Sequence, residues 1–206
     1  ANLLLYAQLL EEQDLPPESR EYVSALEHQA EKLRFLIDAL VKTSRLESGV
    51  LAMTPKRHGI QQLLDAASAQ AAPGAEAKAI TLTVEPTDLT ARFDPKWTAE
   101  ALYNLVDNAV KYTPAGGAVT LRAVGYELFC RVDVTDTGPG IPESEQARIF
   151  QRFYRSPSAS EAEGVGIGLY LARQIAAGQG GYLKVSSRPG EGSTFSLFLP
   201  RAEERT

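Results

Sequence analysis

Between Pro17 and Ser48 the chain sets Val23, Leu26, Ala30, Leu33, Ile37, Leu40 and Ser44 at alternating spacings of three and four. That period lays one narrow apolar stripe along a long helix, while Glu21, Glu27, Glu31, Lys32 and Arg34 occupy its other faces. Pro16 and Pro17 after Asp14 suit a helix start, because proline loses no hydrogen bond at the first helical position. Leu3, Leu5, Leu9 and Leu10 before them read as the end of an earlier helix. Two helices joined by a short connector make an antiparallel hairpin, and a narrow stripe suits bundle packing. Two helices cannot bury such a seam by themselves, so a partner hairpin, and with it a homodimer, is expected. A hairpin packed on its own domain is the alternative.

After Gly49 and the linker Met53-Thr54-Pro55 the pattern becomes mixed. Helical periodicity runs over 61–72, 97–112, 143–150 and 167–177. Alternation and β-branching mark strands at 80–84, 91–93, 118–124, 128–135, 182–187 and 193–199. Interleaved helices and strands, with short turns between the last strands, give an α+β sandwich and not a parallel doubly wound sheet. The expected division is a helical hairpin over 1–50 and an α+β domain over 51–206.

Composition sets limits around this. With 206 residues, 44% hydrophobic and 23% charged, the chain can bury a real core. A net charge of −5 offers nothing to nucleic acid. The single cysteine, Cys130, reads as a core residue and suits a reducing, cytoplasmic compartment. The longest apolar run, Leu3 to Leu10, is broken by Gln8 and is far short of the roughly 20 residues a membrane helix needs, so no membrane contact is expected. The chain opens inside a helix and its one Met is Met53, so it reads as a piece of a longer protein.

Four segments carry chemistry. In Asn104-Leu-Val-Asp-Asn108-Ala-Val-Lys111-Tyr112, Asn104, Asn108 and Lys111 fall at i, i+4 and i+7 on one helix face. Two amide oxygens and an ammonium so aligned could hold Mg²⁺ and a phosphate chain, although a solvated face would look the same. Val134-Thr-Asp136-Thr-Gly138-Pro-Gly140-Ile141 is a strand entering a glycine-rich turn. A carboxylate there could accept a hydrogen bond from an exocyclic amine, and the glycines would let a flat ring approach the backbone. Gly164-Val-Gly166-Ile-Gly168 leads straight into a helix, where free N–H groups and the dipole favour phosphate. No Lys-Ser or Lys-Thr follows, so it is not a P-loop. Gly192-Ser-Thr194-Phe195 opens the last strand.

In this order and at this spacing, the segments resemble the N, G1, G2 and G3 boxes of the histidine-kinase branch of the GHKL ATPases. Phe150-Gln-Arg-Phe153-Tyr154-Arg155 resembles that branch's F box, and Lys42-Thr-Ser-Arg-Leu-Glu47 the end of its dimerisation and phosphotransfer hairpin. The resemblance implies a Bergerat-type ATP-binding sandwich, a mixed sheet with helices on one side, following the hairpin. It implies ATP and Mg²⁺ as ligands, with Asn108 and Asn104 on the metal and Lys111 on phosphate. Tyr112 would flank the adenine and ribose. Asp136 would accept the adenine amino proton, with Thr194 joining through water. Gly138 and Gly140 would shape the pocket and Ile141 close it. Gly164, Gly166 and Gly168 would form the lower hinge of a lid over about 156–163, and Arg155 would reach the γ-phosphate. The parent would phosphorylate its own histidine and pass the phosphate to the receiver domain of a response regulator.

One departure matters. The family's acceptor histidine belongs to the first hairpin helix, and matching Asn2 to Leu10 places it just upstream of Ala1. Neither His28, on the outer face of the second helix, nor His58 replaces it. Two other readings remain beside the kinase: a serine kinase of the anti-sigma type, which the hairpin argues against, and a degenerate module that only binds a partner. A gyrase- or chaperone-type hydrolase would place a Glu where Asn104 stands.

Overall fold

The computed structural model describes residue 10 and residues 16–47, 53–156 and 165–202. The chain divides into two compact units, Ala1–Arg45 and Leu46–Thr206. In the first, helix α1 (Pro17–Glu47) runs unbroken for 31 residues. Val23 on its stripe is buried, but Leu26, Leu33, Ile37 and Leu40 are 51–64% exposed. Apart from Leu10, the earlier helix expected from Leu3 onward lies outside the described residues.

The second unit runs β1 (Lys56–Gly59), α2 (Ile60–Ala77), β2 (Thr81–Val84), β3 (Thr90–Phe93), α3 (Pro95–Tyr112), β4 (Ala118–Gly125) and β5 (Phe129–Asp136). Then come α4 (Glu143–Gln146), a 3-10 turn (Arg148–Phe150), α5 (Gly168–Gly178), β6 (Tyr182–Arg188) and β7 (Gly192–Pro200). Five strands form one mixed sheet in the order β2-β4-β5-β7-β6. Only β2 and β4 run parallel; the other pairs are antiparallel. β1 and β3 pair separately. One face of the sheet carries α2, α3 and α5, with α3 packed between the other two helices. This is the expected α+β sandwich.

The core follows from period. On α3, Leu102, Leu105, Val106 and Ala109 share a face and are at most 1% exposed. Opposite them stand Val119 and Leu121 of β4, Val132 and Val134 of β5, and Leu197 and Leu199 of β7. Each fully buried aliphatic side chain stabilises the fold by about 1.5–3 kcal/mol. Helix α3 begins where Pro95 takes the first turn and the Asp94 carboxylate accepts from the N–H groups of Lys96 and Trp97 at 3.1 and 3.2 Å. It ends against Lys78, whose Nζ donates to the carbonyls of Val110, Lys111 and Thr113 at 2.9, 2.8 and 2.6 Å. Those carbonyls would otherwise lack partners.

Two local expectations need correction, and one strand had no reading. Helix α2 continues past Ala72 to Ala77 with Pro73 inside it. Interior proline costs roughly 3 kcal/mol, but Ala67, Ala71 and Ala75 remain buried across it, and a Cβ on Gly74 would stand 3.6 Å from Val110 Cγ1. Packing on α3 outweighs the lost hydrogen bond. The segment 143–150 is not one helix: it breaks after Gln146, and only Ile149 and Phe150 are buried, so it tightens to seat those two. Lys56–Gly59, read as following a linker, is a strand paired with β3.

Candidate nucleotide-binding site

Asn104, Asn108 and Lys111 project from the same side of α3, and all three are half-buried. The Asn104 amide is oriented by its own helix: Nδ2 donates to the Glu100 carbonyl at 2.9 Å. Its Oδ1 lies 2.7 Å from where a Cβ on Gly168 would stand. A side chain at Gly168 would force the Asn104 amide to shift, so the start of α5 lies close against the α3 face. Lys111 Nζ sits 5.8 Å from the centroid of Tyr112. Burial pushes the Tyr112 phenol up while the nearby Arg155 charge pulls it down, which places Arg155 within electrostatic reach of the end of α3.

The second wall is the turn after β5. Asp136 is 5% exposed, and its Oδ1 accepts from the N–H groups of Gly138 at 2.8 Å and Ser193 at 3.2 Å. Burial holds its carboxyl above the usual carboxylate range, against the opposing pull of those two N–H groups. Among the described residues both bonds fall on Oδ1, which leaves Oδ2 for a ligand. A Cβ on Gly138 would meet that same Oδ1 at 2.8 Å and the Tyr112 carbonyl at 3.2 Å, so the turn packs directly on the end of α3. Gly140, at φ 73°, lies against the backbone of Arg188, and Gly192, at φ 85°, against that of Asp136. The Asp136 turn and the β6–β7 hairpin are thus locked together by backbone contact. Ile141 is half-buried at the rim of the core.

Thr194 is elsewhere. In the β5–β7 register Asp136 faces Ser193, and Thr194 faces Thr135. Side chains alternate across a strand, so Thr194 points to the outer face of the sheet, where its hydroxyl lies 3.0 Å from that of Thr135. The hydroxyl on Asp136's side of the sheet belongs to Ser193, which is buried. The sequence held the signal: Phe195 must face the core, and two residues back from it is Ser193. Gly166, at φ 73°, packs on the Tyr154 carbonyl, joining the base of the glycine segment to the residue before Arg155. Gly164 and most of the lid segment lie outside the described residues.

Sequence reasoning missed two further residues. Ser187 Oγ accepts from the Ile141 N–H at 2.8 Å and donates to the Gly192 carbonyl at 2.7 Å. Gln146 Nε2 donates to the carbonyls of Ile141 and Ser187 at 3.0 and 2.9 Å. Both side chains satisfy backbone groups across a turn, a role that no spacing along the chain announces. His58 packs on Phe93 with ring centroids 5.3 Å apart, and His28 is exposed on α1. No cluster of three or more His, Cys, Asp or Glu side chains suited to a metal occurs among the described residues. None of their helices is long and apolar enough to cross a membrane.

The comparisons with known proteins meet this geometry. Residues 93–203, spanning α3, the Asp136 turn, α5 and the last hairpin, match the family described as histidine kinase-, DNA gyrase B-, and HSP90-like ATPase. Residues 1–49 match the His Kinase A (phospho-acceptor) domain. The sensor protein DivL of Caulobacter vibrioides is 35% identical over 202 residues, covering 97% of this chain and 26% of its own length. Full-length ShkA in complex with AMPPNP superposes with a TM-score of 0.81 at 30% identity, over 99% of this chain and 43% of that one. ThkA, in complex with the response regulator protein TrrA, shares the fold at a TM-score of 0.73 and 20% identity, over 98% of this chain and 57% of that one. The chain thus spans about a quarter of DivL and under half of ShkA. With the family's match covering more than half the residues and resting on the elements that build the site, this chain belongs to the histidine kinase-, DNA gyrase B-, and HSP90-like ATPases, in their sensor histidine kinase branch.

Proposed function

We propose that residues 51–206 bind ATP with Mg²⁺ and deliver its γ-phosphoryl group to a histidine of a helical hairpin, to which residues 1–50 contribute, and that a receiver-domain aspartate takes the phosphate next. The observation that carries this reading is Asp136: a buried carboxylate with one oxygen tied to two backbone N–H groups and the other open, at the end of a glycine turn. That suits an exocyclic amine better than any cation in bulk solvent, because a buried acceptor is worth most to a donor that arrives desolvated.

The other roles follow from position. Asn104 and Asn108 offer amide oxygens, which is enough for Mg²⁺, since that ion takes most of its ligands from phosphate and water. Lys111 and Arg155 supply positive charge near the end of α3, and Gly166 and Gly168 bring the start of α5 close enough for its N–H groups to meet phosphate. Tyr112, Gly138, Gly140 and Ile141 would bound the base, and Ser193 takes the place first expected of Thr194. Phosphoryl transfer needs positioning and charge neutralisation more than covalent help from the protein, and this donor set provides those. The exposed stripe of α1 supports a homodimer through a helical bundle.

Calorimetry with ADP or ATP and Mg²⁺ tests the site. The wild-type chain should bind, and Asp136→Ala should cost about 1–3 kcal/mol of binding by leaving the amino group unpaired. No heat and no thermal shift at millimolar nucleotide would sink the reading. With γ-labelled ATP, the chain alone should gain no acid-labile phosphate, and an intact histidine-bearing hairpin added in trans should become labelled. Label mapped to His28 would place the acceptor wrongly here.

A further inference from the structure

Ser187 of β6 has a hydroxyl whose single proton is already committed. It donates to the Gly192 carbonyl at 2.7 Å, and a carbonyl can only accept. The same oxygen accepts from the Ile141 N–H at 2.8 Å. Ser193 Oγ lies 3.0 Å away. Because Ser187 has no second proton, the hydrogen in that contact must come from Ser193. Ser187 then makes one donation and accepts two bonds, its full capacity, and the Ser193 hydroxyl is turned away from the pocket with only lone pairs left on the open side.

Ser187, Ser193 and Asp136 stand in register across β6, β7 and β5 on one face of the sheet. Asp136 is acceptor-only when ionised, and Ser193 becomes acceptor-only through Ser187. We infer that Ser187 is a specificity-determining positioning residue: it polarises Ser193 so that this end of the pocket presents acceptors alone, which selects a 6-amino purine nucleotide over a 6-oxo one. A free serine hydroxyl would rotate to donate to a carbonyl and erase part of that discrimination, whereas a buried acceptor facing an acceptor rejects it. The inference rests on the reading of Asp136 as the base-binding carboxylate.

The test compares ADP and inosine diphosphate, each with Mg²⁺, by calorimetry on the whole chain. Wild type should prefer ADP. Ser187→Ala releases the Ser193 proton, so the ADP-to-IDP affinity ratio should fall roughly tenfold, with Ser187→Thr restoring it. General damage to the pocket would weaken both nucleotides alike and leave the ratio unchanged, and that result overturns the inference. In a Ser193→Ala background the further change Ser187→Ala should leave the ratio where it is, because the group it controls is gone; a second drop there also overturns it. If wild type binds neither nucleotide, the adenine-pocket reading itself has failed.

Discussion

Helices α1 and α3 are built from the same kind of sequence and meet opposite fates. Both carry apolar residues at helical spacing with charge elsewhere. On α3, Leu102, Leu105 and Val106 are wholly buried by the chain's own sheet and neighbouring helices; on α1, Leu26, Leu33, Ile37 and Leu40 remain half exposed or more. Period therefore states that a face wants cover, and does not state what supplies it. The stripe on α1 is narrow, as a helix–helix seam is, and that on α3 broader, as suits a helix lying on a sheet.

The largest effect expected from this contrast is on stability. Leu105→Ala should cost about 2–5 kcal/mol in denaturant unfolding of the second unit, through lost transfer energy and a cavity. Leu33→Ala, already half in solvent, should change that transition by no more than about 0.5 kcal/mol. Equal losses at the two sites would abolish the distinction between the helices.

The contrast sharpens at Asp136, a carboxylate buried beside the end of α3, where the acids of α1 stand on a helix with an open stripe. Its folded carboxyl is held up by burial, so the ionised form weakens the fold. The penalty is fully present above the folded pKa and disappears as pH falls below the unfolded value. Asp136→Asn should therefore raise the melting temperature of the nucleotide-free protein at neutral pH, by an amount that shrinks on acidification, while nucleotide binding weakens. Wild-type affinity should likewise begin to fall at a pH above the ordinary aspartate range. A lower melting temperature for Asp136→Asn at every pH would mean that the ionised carboxylate stabilises the fold.

On α1, Leu33→Asp with Ile37→Asp should reduce self-association in sedimentation experiments and leave ADP affinity unchanged. Unaltered association would move the interface off this stripe. The smallest change concerns Cys130, whose thiol burial pushes up to about 11. It should resist alkylation at pH 8 in the native protein and react once the sheet unfolds; rapid native labelling would show that β5 opens.

Much of the fold was legible because α3, β4, β5 and β7 bury one face each, and burial writes its period into the chain. Where a different force decided, the reading slipped. Pro73 sits inside α2 because tertiary packing outweighs one backbone bond, and Lys56–Gly59 forms a strand only because β3 offers an edge. Within the site, Gly168 stands against Asn104, and Gly138 against Asp136 and the Tyr112 carbonyl. Thr194 does not join them, because strand register, and not the order of residues in a segment, decides which hydroxyl shares a face with Asp136.

By itself the sequence determined the residue types available: an amide–amide–ammonium helix face, a carboxylate before a glycine turn, and glycines at a helix start. Those depend on neighbours within a turn or two, so they can be read along the chain. Tertiary structure alone decided which atoms of those residues are spoken for. Across the strand pairing, Asp136 Oδ1 is tied to the Ser193 N–H, while the proton of the Ser193 hydroxyl goes to Ser187. Hydrogen bonds are saturable and directional, so what a site can still accept depends on partners 50 residues or so away in the chain, as with Ser193 and Asp136, 57 apart.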